Sequence, residues 1–383
     1  MNKLLIAAAG AGKTTYLIDQ ALSISDNVLI TTFTIENAES IRQKMIKRIG
    51  CIPPHIHIKT WFSFLLQHGV KPFQGSVKEE LYTQCIRGVQ FSEKQSGIKF
   101  QHPKGFSIPY NEETEFFYHY FDKHFRIYSD KLSKFVVRAN EITNGDVIQR
   151  LVQVFPNIFI DEVQDLSGYD LTILELLFRS QTNILLVGDP RQTTYLTHWE
   201  KKNAKYHYGK IELFITEQCR KKDKIIIDTT TLNYSHRNNS MICDFSSRLY
   251  NNYAPTQACN CSDCHHTCIH EGIFVVLDTD VKHYFERYGP TILRYSKSTK
   301  TISSDNIYTF GSAKGKEFDD VLIYPTQAME QWLISFDNSL LEPTTKARFY
   351  VAITRARHSV AFVVSSHTYS LLENHSHIQK WRI

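Results

Sequence analysis

Residues 4–15 read LLIAAAGAGKTT, and the rest of the chain is organised around them. Leu4, Leu5 and Ile6 form a short apolar run, Ala7 to Gly12 are all small, and Lys13 opens a stretch with helical character. A strand, a small-residue turn and a helix start suit the phosphate-cradling pattern G-x-x-x-x-G-K-[ST]. There, backbone N–H groups wrap phosphates, the lysine neutralises the terminal charge and the hydroxyl takes a Mg²⁺ position. Gly10, Gly12, Lys13 and Thr14 fit, while Ala7 stands where the strict pattern has its first glycine. The expected cradle is Ala9, Gly10, Ala11, Gly12, Lys13, Thr14 and Thr15. An Ala/Gly run before a helix can also be simple close packing, so the segments that follow decide.

They alternate strand and helix. A helix from Lys13 to about Ser23 leads to an apolar strand, Asn27 to Phe33, then a polar helix from about Glu36 to Ile49 and a strand from His55 to Lys59. This alternation predicts a parallel sheet with helices on its faces and ligands gathered at the carboxyl ends of the strands. Two such ends carry Thr32 with Phe33 and Thr60 with Trp61. These are either caps and core or groups that grip a sugar-phosphate backbone and stack on bases.

The chain of 383 residues allows more than one domain, and 42% hydrophobic content suffices for packed cores. A net charge of +5 permits nucleic-acid binding without arguing for it. No run approaches the ~18 consecutive apolar residues of a membrane helix, and the phosphate-cradle strand occupies the N-terminus. The expectation is a cytoplasmic protein with no membrane partner, whose 8 cysteines stay reduced or bind metal.

Between Pro72 and Arg138 the pattern changes: Gly and Pro punctuate Gln74 to Tyr110, and Glu115 to Phe135 is dense in aromatics. This reads as a helical insertion, residues 72–140, in a first domain formed by 1–71 and 141–215. Phe116, Phe117, Tyr118, Tyr120, Phe121 and Phe125 are expected to make a small core rather than a stacking platform. Lys123, Lys131 and Lys134 are candidates for phosphate contacts from its exposed side.

Next, the apolar strand Asn157 to Ile160 ends in Asp161, Glu162, Val163, Gln164 and Asp165. Downstream of a phosphate cradle, a strand-terminal acid pair has a specific use. The first carboxylate holds Mg²⁺ through water, and the second orients or deprotonates the attacking water. A further buried strand, Asn183 to Val187, runs into GDPRQTTY at 188–195. There Gln192 is placed to sense a terminal phosphate and Tyr195 to touch a second ligand.

Taken in order, AGAGKT, TFT, DEVQD and GDPRQTTY resemble the motifs of superfamily 1 DNA helicases of the UvrD/Rep type, and later segments agree. NYSHRNNSMICDFSSRLY at 233–250 resembles the arginine motif of the second RecA-like domain, with Arg237 at the phosphate-contacting position. FGSAKGKEF at 310–318 resembles SAKGLEF; this implies that Glu317 contacts the ATP ribose and that Ser312 and Lys314 lie beside the strand track. YVAITRAR at 350–357 resembles YVGVTRA and makes Arg355 the second arginine on the transferring phosphate.

The resemblance implies an α/β fold of two RecA-like P-loop NTPase domains with parallel sheets. Each supplies half of an ATP–Mg²⁺ site, with Lys13, Asp161, Glu162, Gln192, Arg237 and Arg355 carrying the chemistry. Thr32, Phe33, Thr60, Trp61, Tyr195, Ser312 and Lys314 are the implied contacts to single-stranded DNA, and travel is implied to be 3′ to 5′. An alternative class is a DNA-gated ATPase switch, or a helicase-like subunit working with a nuclease or other defence partner. The compact chain also resembles the helicase-like component of Gabija-type bacterial defence systems.

Several positions depart from the family. Only residues 1–6 precede Ala7, so the glutamine motif that reads adenine is missing from this sequence. His236 replaces the adenine-stacking tyrosine, and Tyr234 falls two positions early. Thr197 and His198 replace a Trp-Arg pair, with Trp199 one position beyond, and Gly311 stands where a histidine usually introduces SAKGLEF. The second domain, residues 216–383, is expected to have almost no insertion, with only polar Ser296 to Asp305 in that place. Such a protein is expected to translocate or switch on single strands better than it opens long duplexes.

One cluster lies outside this plan. Cys259, Cys261, Cys264, His265, His266, Cys268 and His270 crowd the loop 255–270. Cys259, Cys261, Cys264 and Cys268 suit tetrahedral Zn²⁺, and His265 or His270 can replace one sulfur. The spacing is tighter than two separated pairs, so a solvated Cys/His-rich loop is the competing reading.

Overall fold

The computed structural model describes residues 2–92, 94–103, 106–194, 202–219, 225–262, 264, 268–373 and 376–383. Contacts divide them into two units. One comprises Met1–Leu5, Thr14–Gly188 and Leu196–Asp228; the other comprises Ile6–Lys13, Asp189–Tyr195 and Thr229–Ile383. By contact, then, the cradle residues up to Lys13 and the turn from Asp189 group with the second unit.

The first unit is built on six strands: β1 (Lys3–Ile6), β2 (Val28–Thr32), β3 (Ile56–Thr60), β4 (Asn157–Asp161), β5 (Asn183–Gly188) and β6 (Ile226–Asp228). They lie in the order β6-β1-β5-β4-β2-β3. The β1–β6, β2–β3, β2–β4 and β4–β5 pairings are parallel. A parallel sheet covered on both faces calls for continuous apolar runs rather than alternation, and every residue of β2 and β4 is buried. Each fully buried Ile, Leu, Val or Phe there contributes about 1.5–3 kcal/mol. The helix α1 (Lys13–Leu22) buries Leu17, Ile18 and Ala21. The helix α2 (Ile35–Ile49) starts where the Thr34 side chain accepts from the Asn37 amide, a cap worth about 1 kcal/mol.

The segment expected as a helical insertion is mixed. It holds the helix α3 (Ser129–Ile142), but also a parallel pair of strands, Gly88–Gln90 with Arg126–Tyr128, and an antiparallel pair, Ile98–Gln101 with Ser107–Pro109. The Gly- and Pro-punctuated stretch interrupts helical periodicity and leaves short extended pieces. Phe116, Tyr120 and Phe121 are buried and pack in tilted and edge-on contacts with one another and Phe135, forming the small core expected, while Tyr118 is exposed.

The second unit has its own parallel sheet: β7 (Gly272–Leu277), β8 (Thr291–Arg294), β9 (Ile307–Thr309), β10 (Phe318–Tyr324), β11 (Ala356–Val364) and β12 (Gln379–Lys380). The order is β9-β8-β10-β11-β7-β12, with every pairing parallel. Side chains alternate between two cores, as a period of two requires. Ile273, Val275, Leu293, Ile323 and Phe362 pack with Trp332 and Phe349 on one face. Phe274, Val276, Ile292, Leu322 and Ala361 pack with Tyr284 and Trp381 on the other. The β8–β9 connection carries no helix or strand, so the second unit has almost no insertion. Both units are thus α/β with parallel sheets, the architecture of RecA-like domains.

Candidate nucleotide site

The first unit brings together the two residues expected to hold Mg²⁺. Thr14, in the first turn of α1, donates its hydroxyl to Asp161 Oδ2 at 3.1 Å. Asp161 ends β4 and is buried, and its other oxygen accepts from the Glu162 amide at 3.0 Å. A hydroxyl and a carboxylate are hard oxygen donors and fit a hard divalent cation.

Glu162 adopts left-handed backbone, φ 57 and ψ 41. A non-glycine residue held there stores on the order of 1–3 kcal/mol of strain, typical of functional sites. Its carboxylate is engaged by Gln164 Nε2, a partner that pattern reading passed over as spacing within DEVQD.

In the second unit, the loop Ala7–Gly12 packs on the arginine segment. Ala7, Ala8 and Ala11 pack with Leu232, and the His236 amide donates to the Gly10 carbonyl at 2.9 Å. Gly10 is required twice over. Its φ is 73°, and a Cβ would fall 2.6 Å from Ser235 Oγ and 2.7 Å from Arg237 Cβ. Lys13 folds back, its Nζ 3.4 Å from the Ala8 carbonyl, and Thr15 is exposed.

Gln192 and Arg355, far apart in sequence, meet: Arg355 Nη2 donates to Gln192 Oε1 at 3.2 Å. Gln192 Nε2 donates to Asp189 Oδ2 at 2.8 Å, and Asp189 Oδ1 takes Arg191 Nε at 2.6 Å. Tyr350 donates its hydroxyl to the same aspartate at 3.3 Å and lies under the Arg191 guanidinium. Arg191 also reaches the Ala7 carbonyl at 3.4 Å. Burial works against the Arg191 charge, but Asp189 outweighs it and the guanidinium is held further protonated than usual. Sequence reasoning missed Arg191, Asp189 and Tyr350, because charged residues in a turn read as solvated; the only available signal was their place inside GDPRQ and YVAITRAR.

Arg237 Nη2 pairs with Glu317 Oε1 at 2.6 Å, and its Nη1 donates to the Thr354 carbonyl at 3.2 Å. Glu317 also takes Arg357 at 3.1 Å. Burial opposes its charge, but Arg237 and then Arg357 outweigh that and hold its carboxyl down at about 2. In this structure, therefore, the residue expected on the ribose is engaged by the arginine expected on the phosphate.

The residues expected to touch nucleic acid divide. Thr31 and Thr32, at the end of β2, are fully buried, and their hydroxyls have no hydrogen-bond partner among the described residues. That is a costly arrangement, and full burial leaves neither hydroxyl on the surface. Thr60 instead caps the turn Trp61–Phe64, accepting from the Ser63 amide. Trp61 is fully buried and donates Nε1 to Asp170 at 2.7 Å; Phe33 packs edge-on against Phe62. Both side chains are buried among neighbouring groups rather than laid open on the surface. Ser312 is exposed in the turn after β9, where it bonds Thr309, and Lys314 is half-buried beside it. Tyr195, Thr197, His198 and Trp199 lie outside the described residues. Of the lysines on the insertion, Lys123 is exposed, but Lys131 is buried and Lys134 pairs with Glu112 at 2.6 Å, so the insertion does not present them as one basic face.

The Cys/His cluster takes a different composition from the expected one. His236, Cys259, Cys261 and Cys264 bring their donor atoms within 4.8 Å of one another. Cys268 is not among them; its amide is held by Glu271. His270 is buried, stacked on Tyr288 and bonded to the Tyr284 hydroxyl, which removes it as a ligand. His265 and His266 lie outside the described residues. Burial first, then the neighbouring Cys259 and Cys261 sulfurs, push the Cys264 thiol up to about 12. No disulfide joins any of the cysteines.

The UvrD/REP helicase N-terminal domain family matches residues 93–205. No curated protein matches the chain. Among solved structures, the arterivirus nonstructural protein 10 helicase is similar at 15% identity and a TM-score of 0.45, covering 97% of this chain and 62% of that one. Its complex with DNA gives 14%, 0.44, 97% and 63% in the same order. The PRRSV helicase gives 17%, 0.42, 95% and 52%. This chain thus spans less than two thirds of the length of those helicases. None of these findings supports an association with a Gabija-type system or a nuclease. No helix among the described residues is long and apolar enough to cross a membrane.

Proposed function

We propose that this chain, a superfamily 1 helicase of the UvrD/Rep type by its match over residues 93–205 and by the order of its motifs, hydrolyses ATP to move along single-stranded DNA. The observation that carries the reading is the Thr14–Asp161 contact at 3.1 Å. It joins the end of the phosphate cradle to the first residue of DEVQD across the sequence, as phosphoryl transfer requires. Thr14 would hold Mg²⁺ directly and Asp161 through water; when bound, the ion neutralises charge on the phosphates. Glu162, held by its strained backbone and Gln164, would take the proton of the attacking water. Lys13, Arg237 and Arg355 would stabilise charge developing on the terminal phosphoryl group, with Gln192 relaying its presence to Arg355.

Ser312 and Lys314 remain the candidates to touch the DNA backbone, and 3′ to 5′ travel is the polarity the resemblance implies. The short β8–β9 connection favours a second reading, a DNA-gated ATPase switch, because the second unit lacks the insertion that assists duplex opening in relatives. One measurement separates the two: ATPase rate against single strands of increasing length. A rate that climbs with length and then saturates supports translocation. A length-independent rise supports the switch, and no response to DNA removes both.

A further inference from the structure

We propose that His236 Nδ1 and the thiolates of Cys259, Cys261 and Cys264 form a tetrahedral Zn²⁺ site that fastens the cysteine loop to the segment carrying Arg237 and the nucleotide loop. A tetrahedral centre with Zn–S near 2.3 Å and Zn–N near 2.0 Å separates its donors by roughly 3.5–3.8 Å. Here Cys264 Sγ lies 3.5 Å and Cys261 Sγ 4.0 Å from His236 Nδ1, and all four donor atoms fall within 4.8 Å. Soft thiolates with one imidazole select zinc over magnesium or calcium.

The set does not depend on one loop wrapping an ion by itself. Tyr234–Ser235 and Gln257–Ala258 form a parallel pair in which Ser235 faces Ala258, and the Cys259 amide donates to the Ser235 carbonyl at 2.9 Å. The backbone ladder therefore delivers Cys259 beside His236. Only the short arc from Cys259 to Cys264 must close, which removes the spacing objection to zinc. His236, Cys259 and Cys261 line a cavity of about 330 Å³ together with Ala11, Leu232 and Tyr234, so an ion has a path of entry.

The position of His236 gives the site its consequence. Its amide holds the Gly10 carbonyl at 2.9 Å, and a Cβ on Gly12 would lie 3.9 Å from its ring. A metal on Nδ1 fixes the ring and, through the backbone, both the loop and the adjacent Arg237. This coupling rests on the nucleotide reading above; the metal site does not.

The test is metal analysis of full-length protein purified without a histidine tag, paired with the visible spectrum after Co²⁺ replaces the bound ion. One zinc per chain and a tetrahedral cobalt spectrum with sulfur-to-metal charge transfer are expected. Cys261→Ser and Cys264→Ser should each lower zinc at least tenfold, while Cys268→Ser should retain it. Since these variants can fail to fold, His236→Cys provides a folded control, expected to keep zinc and shift the cobalt spectrum towards four-sulfur ligation. Substoichiometric zinc with no cobalt spectrum overturns the site. Full zinc and an unaltered spectrum in His236→Ala, with loss in Cys268→Ser, overturns this ligand set in favour of four sulfurs. For the coupling, removing zinc should weaken ATP binding about tenfold. Unchanged ATP affinity overturns the coupling and leaves the zinc count standing, whereas a protein that binds zinc but no ATP in either state overturns the nucleotide reading instead.

Discussion

Arg237 and Glu317 meet at 2.6 Å, in a pair that joins the arginine segment to the turn before β10. The same carboxylate takes Arg357 at 3.1 Å, so one acid orients two guanidinium groups. An arginine stabilises a phosphoryl transition state only if it arrives in one geometry, and a charge-assisted bond is a means of holding it there. Glu317→Gln keeps the shape but loses the charge, and kcat for ATP should fall about tenfold with a smaller change in KM. Arg237→Ala should cost roughly 10²–10³-fold in kcat. Steady-state kinetics checks both, and a Glu317→Gln enzyme faster than the wild type would mean that the pair restrains Arg237 rather than aiming it.

Glu162 combines a left-handed backbone with a carboxylate held by Gln164. Glu162→Gln should lower hydrolysis by at least about 10²-fold while leaving ATP binding intact, since general-base catalysis is worth roughly 10²–10⁴-fold. Lys13→Ala should instead weaken binding itself. Equilibrium binding and single-turnover hydrolysis separate the two defects; near-wild-type turnover by Glu162→Gln would remove it as the base.

Trp61 was a candidate for base stacking by its position after a strand end, yet its side chain is fully buried against Asp170. Trp61→Ala should therefore act through stability, costing about 3–5 kcal/mol, with a lowered Tm seen by thermal denaturation. A Trp61→Phe variant that keeps the Tm but loses DNA affinity would show the opposite.

Glu112 is the acid at the centre of the insertion, bonded to Lys134 at 2.6 Å and Arg138 at 2.8 Å and to the Tyr120 hydroxyl. Burial opposes its ionisation, but these partners outweigh it and hold its carboxyl at about 2. A carboxyl depressed on folding contributes stability that is complete above its unfolded value, near 4.5, and is lost as pH falls towards 2. Glu112→Gln should cost about 1–3 kcal/mol near neutral pH, and the gap from wild type should narrow as acid unfolding is followed below about pH 4. A gap that stays constant with pH would assign the loss to packing.

Much of this protein could be read from the chain. LLIAAAGAGKTT and DEVQD each sit at a strand end because an apolar run, a tight turn and a polar terminus have few other stable arrangements, and β2 to β5 fall within a residue or two of their expected bounds. What the sequence could not decide was which distant side chains share a site. Thr14 finding Asp161, Gln192 finding Arg355 and Arg237 finding Glu317 depend on strand order and register. Burial likewise escaped it: an aromatic after a strand end reads the same whether, like Trp61, it fills a core or faces solvent. The cysteine loop shows the division most plainly. Its sulfurs suggested a metal, but the histidine beside three of them comes from a neighbouring strand, placed by a backbone ladder that local spacing does not encode.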